Sequence, residues 1–313
     1  MSVVPVRAAN PTVPRRRASG WSRFVEREST LAYLFMVPGG LVLLLFMAYP
    51  FLLGIYYSLT DKMVGFAEFE FIWFQNYRLL LEDTIFLRTV QNTFVYGIVT
   101  VPFKLLLGLG MALALNQTFR FSRFLRAGLL LPWIVPTAIS SLAFLMLFDS
   151  VSSPLTWVVR DWGFIGESDR INFLGNRFNA MASVCLANIW RGVPFFAVSI
   201  LAGLQAVSPD LHEAAALDGA TPFQRFLSVT LPTIRNIVLI STLFSLIWTF
   251  SDFQLIYVLT KGGPASSTHI FGTYAYETMG FSAVGQAAAI ALSLFPVLAV
   301  VGILLLRYVR AED

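Results

Sequence analysis

The sequence predicts an all-α membrane protein with six transmembrane helices. Of its 313 residues, 57% are hydrophobic and only 13% are charged, whereas a soluble domain carries about 25% charged residues. The apolar residues are gathered into six runs of about 20 residues or more, the length that a helix needs to cross a bilayer. A transmembrane β-barrel would instead show short segments of alternating hydrophobicity, and the sequence has no such pattern.

The chain is predicted to consist of a tail, a six-span membrane domain and a short C-terminal end. Residues 1–30 are polar and contain six arginines, which is typical of a disordered tail. The membrane domain covers 31–307, and 308–313 follow it. A cleaved signal peptide is the alternative for the N-terminus, but the run at 31–59 is too long for the apolar segment of one. The six spans are predicted at 31–59, 91–115, 125–148, 181–204, 235–259 and 283–307.

Several of these spans contain residues that interrupt helical hydrogen bonding. Such interruptions are tolerated where neighbouring helices or a water-filled cavity satisfy the freed backbone groups. The pattern therefore indicates a helical bundle that lines a cavity rather than a simple anchor. The interrupting residues are Pro38, Gly39, Pro50, Pro102, Pro132, Pro136 and Pro194.

The distribution of basic residues predicts the orientation. The N-terminal tail, the 116–126 turn, the 205–235 loop and the C-terminus together carry 13 Lys and Arg, whereas the loops on the opposite side carry seven. Short cytoplasmic loops are enriched in Lys and Arg. Both termini and the 205–235 loop are therefore predicted to be cytoplasmic.

The scarcity of reactive residues excludes several functions. None of the three lysines lies in a G-x-x-x-x-G-K-[ST] loop, so the chain has no P-loop of its own for ATP hydrolysis. A single cysteine, Cys185, excludes an internal disulfide and a cysteine-based metal cluster. His212 and His269 lie outside the apolar runs, which excludes a bis-histidine haem within the bilayer. We expect no catalytic residue, metal or cofactor on this chain, and no nucleic-acid partner, because its basic residues cluster in the tail.

The loop between spans four and five predicts two short helices joined at a glycine. Ser208 is a helix cap followed by proline at the first helical position, and Gly219 suits the left-handed end of that helix. Thr221 repeats the start signal, and Leu231–Pro232 are predicted to end the second helix before span five. A plain connection could be a few polar residues, so this hairpin is predicted to protrude and to bind a partner.

The same loop resembles a known family. Glu213-Ala214-Ala215, then Gly219, then Val229-Thr230-Leu231-Pro232 resemble the EAA loop, E-A-A-x3-G-x9-I-x-L-P, of the inner-membrane permeases of type I ABC importers. Only Val229 differs, in place of isoleucine. In that family the short helix fits a cleft on the ATPase subunit, and the alternative here is a solvated amphipathic turn. The resemblance implies a role in ATPase coupling for Glu213, Ala214, Ala215, Asp218, Gly219, Leu231 and Pro232.

A second resemblance concerns the carbohydrate-uptake branch of these permeases, related to the maltose and glycerol-3-phosphate systems. It rests on the segment Trp190-Arg191-Gly192-Val193-Pro194-Phe195, on Asp252-Phe253, and on Leu259-Thr260-Lys261-Gly262-Gly263-Pro264 with Thr268. Lys261 stands where the family usually has glycine. The resemblance covers nearly the whole chain from about residue 31.

A solute path is predicted from span five and the start of span four. Ser245, Trp248, Thr249 and Asp252 are spaced to share one helical face, and Asp252 is the only acidic residue in an apolar run, which marks a functional position. Sugars require aromatic faces and a few fixed hydrogen-bonding groups. With the positions that the resemblance adds, the predicted set is Arg191, Gly192, Phe195, Ser245, Trp248, Thr249 and Asp252.

Structural roles remain the alternative for these residues. Arg191 and Asp252 could form an ion pair between spans four and five, and Trp248 could face lipid. Lys104, the only lysine in an apolar run, is predicted to snorkel or to be paired rather than to bind solute.

The resemblance implies a permease subunit of an ATP-driven, binding-protein-dependent importer for a sugar or polyol in the bacterial inner membrane. It implies as partners a second permease subunit, two ATPase subunits that bind ATP and Mg²⁺, and an extracytoplasmic solute-binding protein. A secondary transporter is the alternative, but it would need ion-coupling groups at midplane and usually an internal repeat. Asp252 stands alone in the spans, and no repeat is evident.

Overall fold

The computed structural model describes residues 28–117 and 122–310. The predicted tail up to residue 27, part of the 116–126 turn and residues 311–313 lie outside this range. The helices are α1 (Glu28–Leu43), α2 (Tyr49–Ser58), α3 (Gln75–Glu82), α4 (Thr84–Leu115), α5 (Ser122–Ile134), α6 (Thr137–Leu147), α7 (Pro154–Asp161), α8 (Arg177–Gln205), α9 (Pro209–Leu217), α10 (Pro222–Arg225), α11 (Leu231–Phe250), α12 (Phe253–Leu259), α13 (Phe271–Gly280), α14 (Val284–Leu292) and α15 (Leu294–Arg310). Two π-helical turns, Leu44–Ala48 and Phe226–Thr230, interrupt the first and fifth spans.

The described residues form two compact units that part after Leu53. The first unit consists of α1, the π-helical turn after it and the start of α2. The second unit, from Gly54 onward, contains the rest of α2 and all the later helices.

The lengths of the helices agree with the predicted number of spans. Within the described residues, five helices are long and apolar enough to cross a membrane, and a bent pair supplies a sixth span if its two halves are counted together. The five are Leu31–Ser58, Thr84–Leu115, Arg177–Gln205, Pro222–Phe250 and Val284–Leu304.

The third span is broken rather than straight. Phe124–Ile134 and Thr137–Leu147 meet at an angle of 90°. The break falls at Pro136, one of the predicted interruptions, whose backbone has φ −53° and ψ 137°. Proline disfavours the helical conformation of the residue before it and has no N–H to donate. Pro102 and Pro194 were also predicted to interrupt their spans, but both lie inside uninterrupted helices.

The fifth span differs from the prediction at both ends. The helix begins in the loop at Pro222 and continues through the π-helical turn to Phe250, so Leu231–Pro232 do not end it. Pro232 has no N–H to donate, and it comes just after the π-helical turn Phe226–Thr230, where the regular helical hydrogen bonding is already interrupted. At the other end, Ser251 and Asp252 are non-helical and separate α11 from α12. The prediction that Asp252 shares a helical face with Ser245, Trp248 and Thr249 is therefore wrong, because Asp252 lies outside the helix.

Helix α4 has a polar buried face and an apolar exposed face. Ile98, Phe103 and Leu106 are each more than half exposed, as expected for side chains that face lipid. The threonine hydroxyls on the buried face donate to carbonyl oxygens one turn earlier in the same helix. The buried stripe runs Thr89, Thr93, Tyr96, Thr100, Lys104, Gly108 and Ala112.

This buried stripe packs against α8 and α11. Gly108 permits a close approach, because a Cβ there would overlap Phe196 of α8, and small residues allow membrane helices to pack closely. Phe196, Ile200 and Ile234 join the three helices in one buried cluster. A second cluster around Tyr96 joins α4 and α8 to α6 and α12. The space between α4, α8 and α11 is where the polar residues of these helices meet.

Candidate functional site

A cavity of about 220 Å³ lies between α4, α5, α8 and α11. All seven residues predicted for the solute path line it, together with three that were not predicted. The complete lining is Lys104, Trp133, Asn188, Arg191, Gly192, Phe195, Ser245, Trp248, Thr249 and Asp252. The structure therefore brings the predicted residues of spans four and five to one place.

Asp252 accepts two hydrogen bonds and faces one cation. Its Oδ2 accepts a hydrogen bond from Asn188 Nδ2 at 2.7 Å and another from Tyr96 Oη at 3.0 Å. Arg191 Nη1 lies 3.9 Å from the same oxygen. Helix α11 ends two residues before Asp252. The carboxylate reaches the cavity from the break between α11 and α12. The interhelical ion pair considered as the alternative is thus present, and its two residues also line the cavity.

Lys104 is buried and enters the cavity wall from α4. Its side chain is only 4% exposed, and Nζ donates to Thr249 Oγ1 at 2.9 Å. The Thr249 hydroxyl in turn donates to the carbonyl oxygen of Ser245 at 2.6 Å. The side chain of Lys104 is thus hydrogen-bonded inside the bundle and does not extend to its surface.

Gly192 creates the space that the lysine occupies. A Cβ at this position would lie 2.6 Å from both Cδ and Cε of Lys104, which is closer than non-bonded carbon atoms can approach. The lysine stem therefore crosses α8 at this glycine. Any larger residue at 192 would displace the ammonium group.

Aromatic side chains form the other wall of the cavity. Phe195 and Trp248 meet edge to face with ring centroids 4.9 Å apart, and Trp133 lies 6.3 Å from Phe195. Trp133 and Trp248 are each about half exposed. Aromatic faces of this kind pack against the C–H side of a sugar ring. The cavity thus combines an aromatic wall with a charged, hydrogen-bonding one.

Three of the cavity residues were not predicted, although the sequence contains a signal for two of them. Asn188 lies three residues before Arg191 on α8, so both share one helical face. Lys104 is a charged residue inside an apolar run, which by itself indicates function. Trp133 has no such signal, since its position depends on the bend at Pro136. The bend also places Thr137, whose hydroxyl accepts a hydrogen bond from Arg191 Nη2.

The predicted hairpin in the loop between α8 and α11 is present. Ser208 Oγ accepts from the N–H of Asp210 at the start of α9. Gly219 follows α9 with φ +82°, the left-handed region that favours glycine. Thr221 and Gln224 form a reciprocal capping box at the start of α10. We call Ser208–Pro232 the coupling hairpin, after the role predicted for it from the sequence. Both of its predicted helix starts are confirmed.

The coupling hairpin exposes apolar side chains and most of the residues predicted for coupling. Leu217 is 90% exposed and Phe223 is 69% exposed. Apolar side chains exposed on one element are typical of a binding surface. Of the predicted coupling residues, Ala215 and Leu231 are half-buried, whereas Glu213, Ala214, Asp218, Gly219 and Pro232 are exposed.

A buried histidine lies apart from both regions, in the segment after α12. His269 is 3% exposed. Its Nε2 lies 2.6 Å from Oε2 of Glu277, and Nδ1 lies 3.2 Å from Thr273 Oγ1. Burial lowers the pKa of His269 below its usual value, and the Glu277 carboxylate only partly opposes this effect. Among the described residues, no group of three or more His, Cys, Asp or Glu could hold a metal ion.

Comparison with known proteins gives the family. Residues 104–311 match the family described as "Binding-protein-dependent transport system inner membrane component". The chain belongs to this family. It is therefore a transport subunit of the inner membrane rather than an enzyme, and it works with a solute-binding protein and an ATPase. Nothing in these comparisons supports a secondary transporter.

Relatives match over most of the chain. The sulfoquinovosyl glycerol transport system permease protein of Agrobacterium fabrum is 32% identical, over 96% of this chain and 97% of its own. The trehalose/maltose transport system permease protein of Thermococcus litoralis is 33% identical, over 86% of this chain and 90% of its own. A chain in the crystal structure of a bacterial alginate ABC transporter shares the fold, with a TM-score of 0.77 at 20% identity over 92% of this chain and 96% of that one.

Proposed function

We propose that this permease subunit carries a sugar or a related polyol through the cavity between α4, α8 and α11. The support is the composition of the cavity, with aromatic rings on one wall and hydrogen-bonding groups on the other. The names of the two relatives, which refer to sulfoquinovosyl glycerol and to trehalose and maltose, favour the same class of solute. The seven predicted path residues contact the solute in this proposal.

The coupling hairpin transmits the movement of an ATPase subunit to the cavity. It connects the two helices that contribute most of the cavity lining. From Arg191 to the end of α8 at Gln205 the helix spans about 21 Å, and from Pro222 to Ser245 the second helix spans about 35 Å. A displacement of the hairpin therefore moves both walls, and this continuity is the observation on which the proposed mechanism rests.

Alternating access requires only a moderate energetic bias. Two conformations of the bundle that differ by a few kcal/mol can be interchanged by a partner that binds one of them more tightly. In this proposal the ATP-bound ATPase is that partner, and it engages Glu213, Ala214, Asp218, Gly219 and the exposed apolar side chains of the hairpin. ATP and Mg²⁺ bind only to the ATPase subunits.

The proposed assembly contains this chain, a second permease subunit, two ATPase subunits and an extracytoplasmic solute-binding protein. Both termini and the coupling hairpin are cytoplasmic, since the flanking loops hold most of the basic residues. In this orientation the proposed tail, 1–30, and the proposed C-terminal end, 308–313, are cytoplasmic, and the proposed domain 31–307 spans the membrane.

The experiment replaces Glu213 on the exposed hairpin with alanine. Uptake by the complete importer should fall at least about tenfold, which corresponds to about 1.4 kcal/mol of lost coupling. Less ATPase subunit should co-purify with the permease, while the amount of permease in the membrane stays the same. The control is Glu167→Ala, which removes an exposed carboxylate outside the hairpin and should leave ATPase co-purification unchanged. Unimpaired uptake by Glu213→Ala would contradict the coupling role and would favour the alternative that the hairpin is a solvated turn.

A further inference from the structure

The ten residues that line the cavity carry two cations and one anion. Lys104 and Arg191 are the cations, and Asp252 is the carboxylate. Charges inside a membrane-spanning bundle are expensive, and they are retained where they pair with one another or serve the transported solute. The question is therefore which of the two cations is already neutralised by Asp252.

Asp252 is neutralised by Arg191 and by two neutral donors. Arg191 Nη1 faces Oδ2 of Asp252 at 3.9 Å, and Asn188 and Tyr96 donate hydrogen bonds to the same oxygen. These three groups surround the oxygen from α4 and α8. The carboxylate and the guanidinium thus form a closed unit with no net charge.

Lys104 has no such counter-ion. Among the described residues, no carboxylate lies within 4.0 Å of its ammonium group. Its hydrogen bond goes to the hydroxyl of Thr249, which is neutral. Two of its three N–H donors remain for another acceptor, and the side chain is one that lines the cavity.

The position of this ammonium group is fixed by its surroundings. Gly192 leaves just enough space for the lysine stem, and Thr249 holds the Nζ atom on the side of α11. Trp248, the neighbour of Thr249 in sequence, contributes its ring to the aromatic wall. A sugar ring on that wall would thus be next to an ammonium group that has no carboxylate in ion-pair contact.

We propose that the cavity selects carbohydrates that bear an anionic group, such as a sulfonate, phosphate or carboxylate, and that Lys104 binds this group. The aromatic wall holds the sugar ring, and the ammonium forms charge-assisted hydrogen bonds with the anionic oxygens. In the low-dielectric interior such a contact is stronger than in water. This inference rests on the proposed function and specifies its substrate class.

The test measures binding to the cavity without the solute-binding protein, whose own selectivity would obscure the result. The purified complex of both permeases and the ATPases, in lipid nanodiscs without ATP, is titrated calorimetrically with glucose, glucose 6-phosphate and glucuronate. Inorganic phosphate serves as the anion without a sugar ring. We expect glucose 6-phosphate and glucuronate to bind at least about tenfold more tightly than glucose, and phosphate to bind more weakly than either.

Variants assign this preference to Lys104. Lys104→Met keeps the apolar stem and should abolish the preference for anionic sugars over glucose, whereas Lys104→Arg should retain most of it. Gly192→Ala, which displaces the ammonium but leaves every charge in place, should reduce the preference in part. The matched control is Lys261→Met, which removes an exposed lysine outside the cavity and should change nothing. The Arg and Ala variants keep the test decisive if Lys104→Met does not assemble.

Three results would overturn the proposal: equal affinity for glucose and the anionic sugars, an unchanged preference in Lys104→Met or Gly192→Ala, or no measurable binding of any sugar. The proposed function is judged separately, by ATP-dependent uptake of carbohydrate in the complete importer. An importer that takes up only neutral sugars would refute the anion site and leave the proposed function intact. Failure to take up any carbohydrate would refute both.

Discussion

The coupling hairpin and the cavity differ in the range of the interactions that build them. In the hairpin, the capping hydrogen bonds join residues two or three positions apart, and the side chains around them are exposed. In the cavity, hydrogen bonds join Tyr96 to Asp252 and Lys104 to Thr249 across 156 and 145 residues, and these groups are mostly buried. The hairpin is therefore a local structure, whereas the cavity exists only when α4, α5, α8 and α11 are packed together.

This difference predicts different responses to substitution. An exposed, locally built element loses little stability when one side chain changes, because water replaces the lost partner. A buried network loses much more, because the remaining donors and charges have no alternative partner. Changes in the hairpin should thus affect coupling, and changes in the cavity should affect the stability of the whole bundle.

The largest expected effect is that of Asp252→Ala. It leaves Asn188, Tyr96 and Arg191 without their common acceptor, and breaking a buried pair of this kind costs about 3–5 kcal/mol. The melting temperature of the purified complex, followed by tryptophan fluorescence, should fall clearly. Asp252→Asn keeps an acceptor oxygen and should cost less, about 1–2 kcal/mol.

If Asp252→Ala has the same melting temperature as the unmodified complex, the cavity is not more sensitive to substitution than the hairpin. Such a result would mean that water enters the cavity and satisfies these donors, and that the cavity behaves like an exposed surface. The Asn variant separates charge from hydrogen bonding, since it removes only the former.

An intermediate effect is expected for Gly219→Val in the hairpin. Gly219 has φ +82°, and a Cβ there would meet no atom within 4 Å. The cost is therefore conformational, about 1–3 kcal/mol for a β-branched residue in the left-handed region. Uptake and ATPase co-purification should fall, while the melting temperature of the complex falls less than in Asp252→Ala.

Gly219→Asn is the matched control, because asparagine tolerates the left-handed conformation and should retain most of the uptake. If valine and asparagine impair uptake equally, the glycine is needed for contact with the ATPase rather than for its backbone conformation. If valine lowers the melting temperature as much as Asp252→Ala, the hairpin is not the local structure described above.

The smallest effect concerns His269, which combines features of the two regions. It is buried, as the cavity residues are, but its partner Glu277 is only eight positions away. Burial lowers the pKa of His269, so the unfolded chain takes up a proton first as the pH falls. Its contribution to stability is complete above the usual histidine pKa of about 6.5 and is lost below it.

As the pH is lowered from 7.5 to 5.5, the free energy of unfolding should therefore fall. Comparing the melting temperature of the complex with that of His269→Gln over this range checks the expectation, because glutamine does not titrate. Thr273 and Tyr274, which also contact the imidazole, stay uncharged over this range. Equal pH dependence in the two proteins would assign the effect to other groups.

Much of the fold could be predicted from hydrophobic runs alone. The number of spans follows from their apolar length, since a helix is the only open structure that satisfies its backbone inside a bilayer. The exact course of the spans could not be predicted in the same way. The 90° bend between α5 and α6, the helical continuation through Pro232 and the break at Asp252 depend on packing that an apolar pattern does not specify.

The sequence by itself determined the coupling hairpin, because helix caps and a left-handed glycine act within a few residues of one another. It also determined which side chains of spans four and five are polar enough to form a path. Only the tertiary structure decided that Lys104 joins them, that Asn188 and Tyr96 surround Asp252, and that the cavity lining holds two cations and one carboxylate. The reason is physical: charge balance in a cavity is a property of all the helices around it, and no single segment contains it.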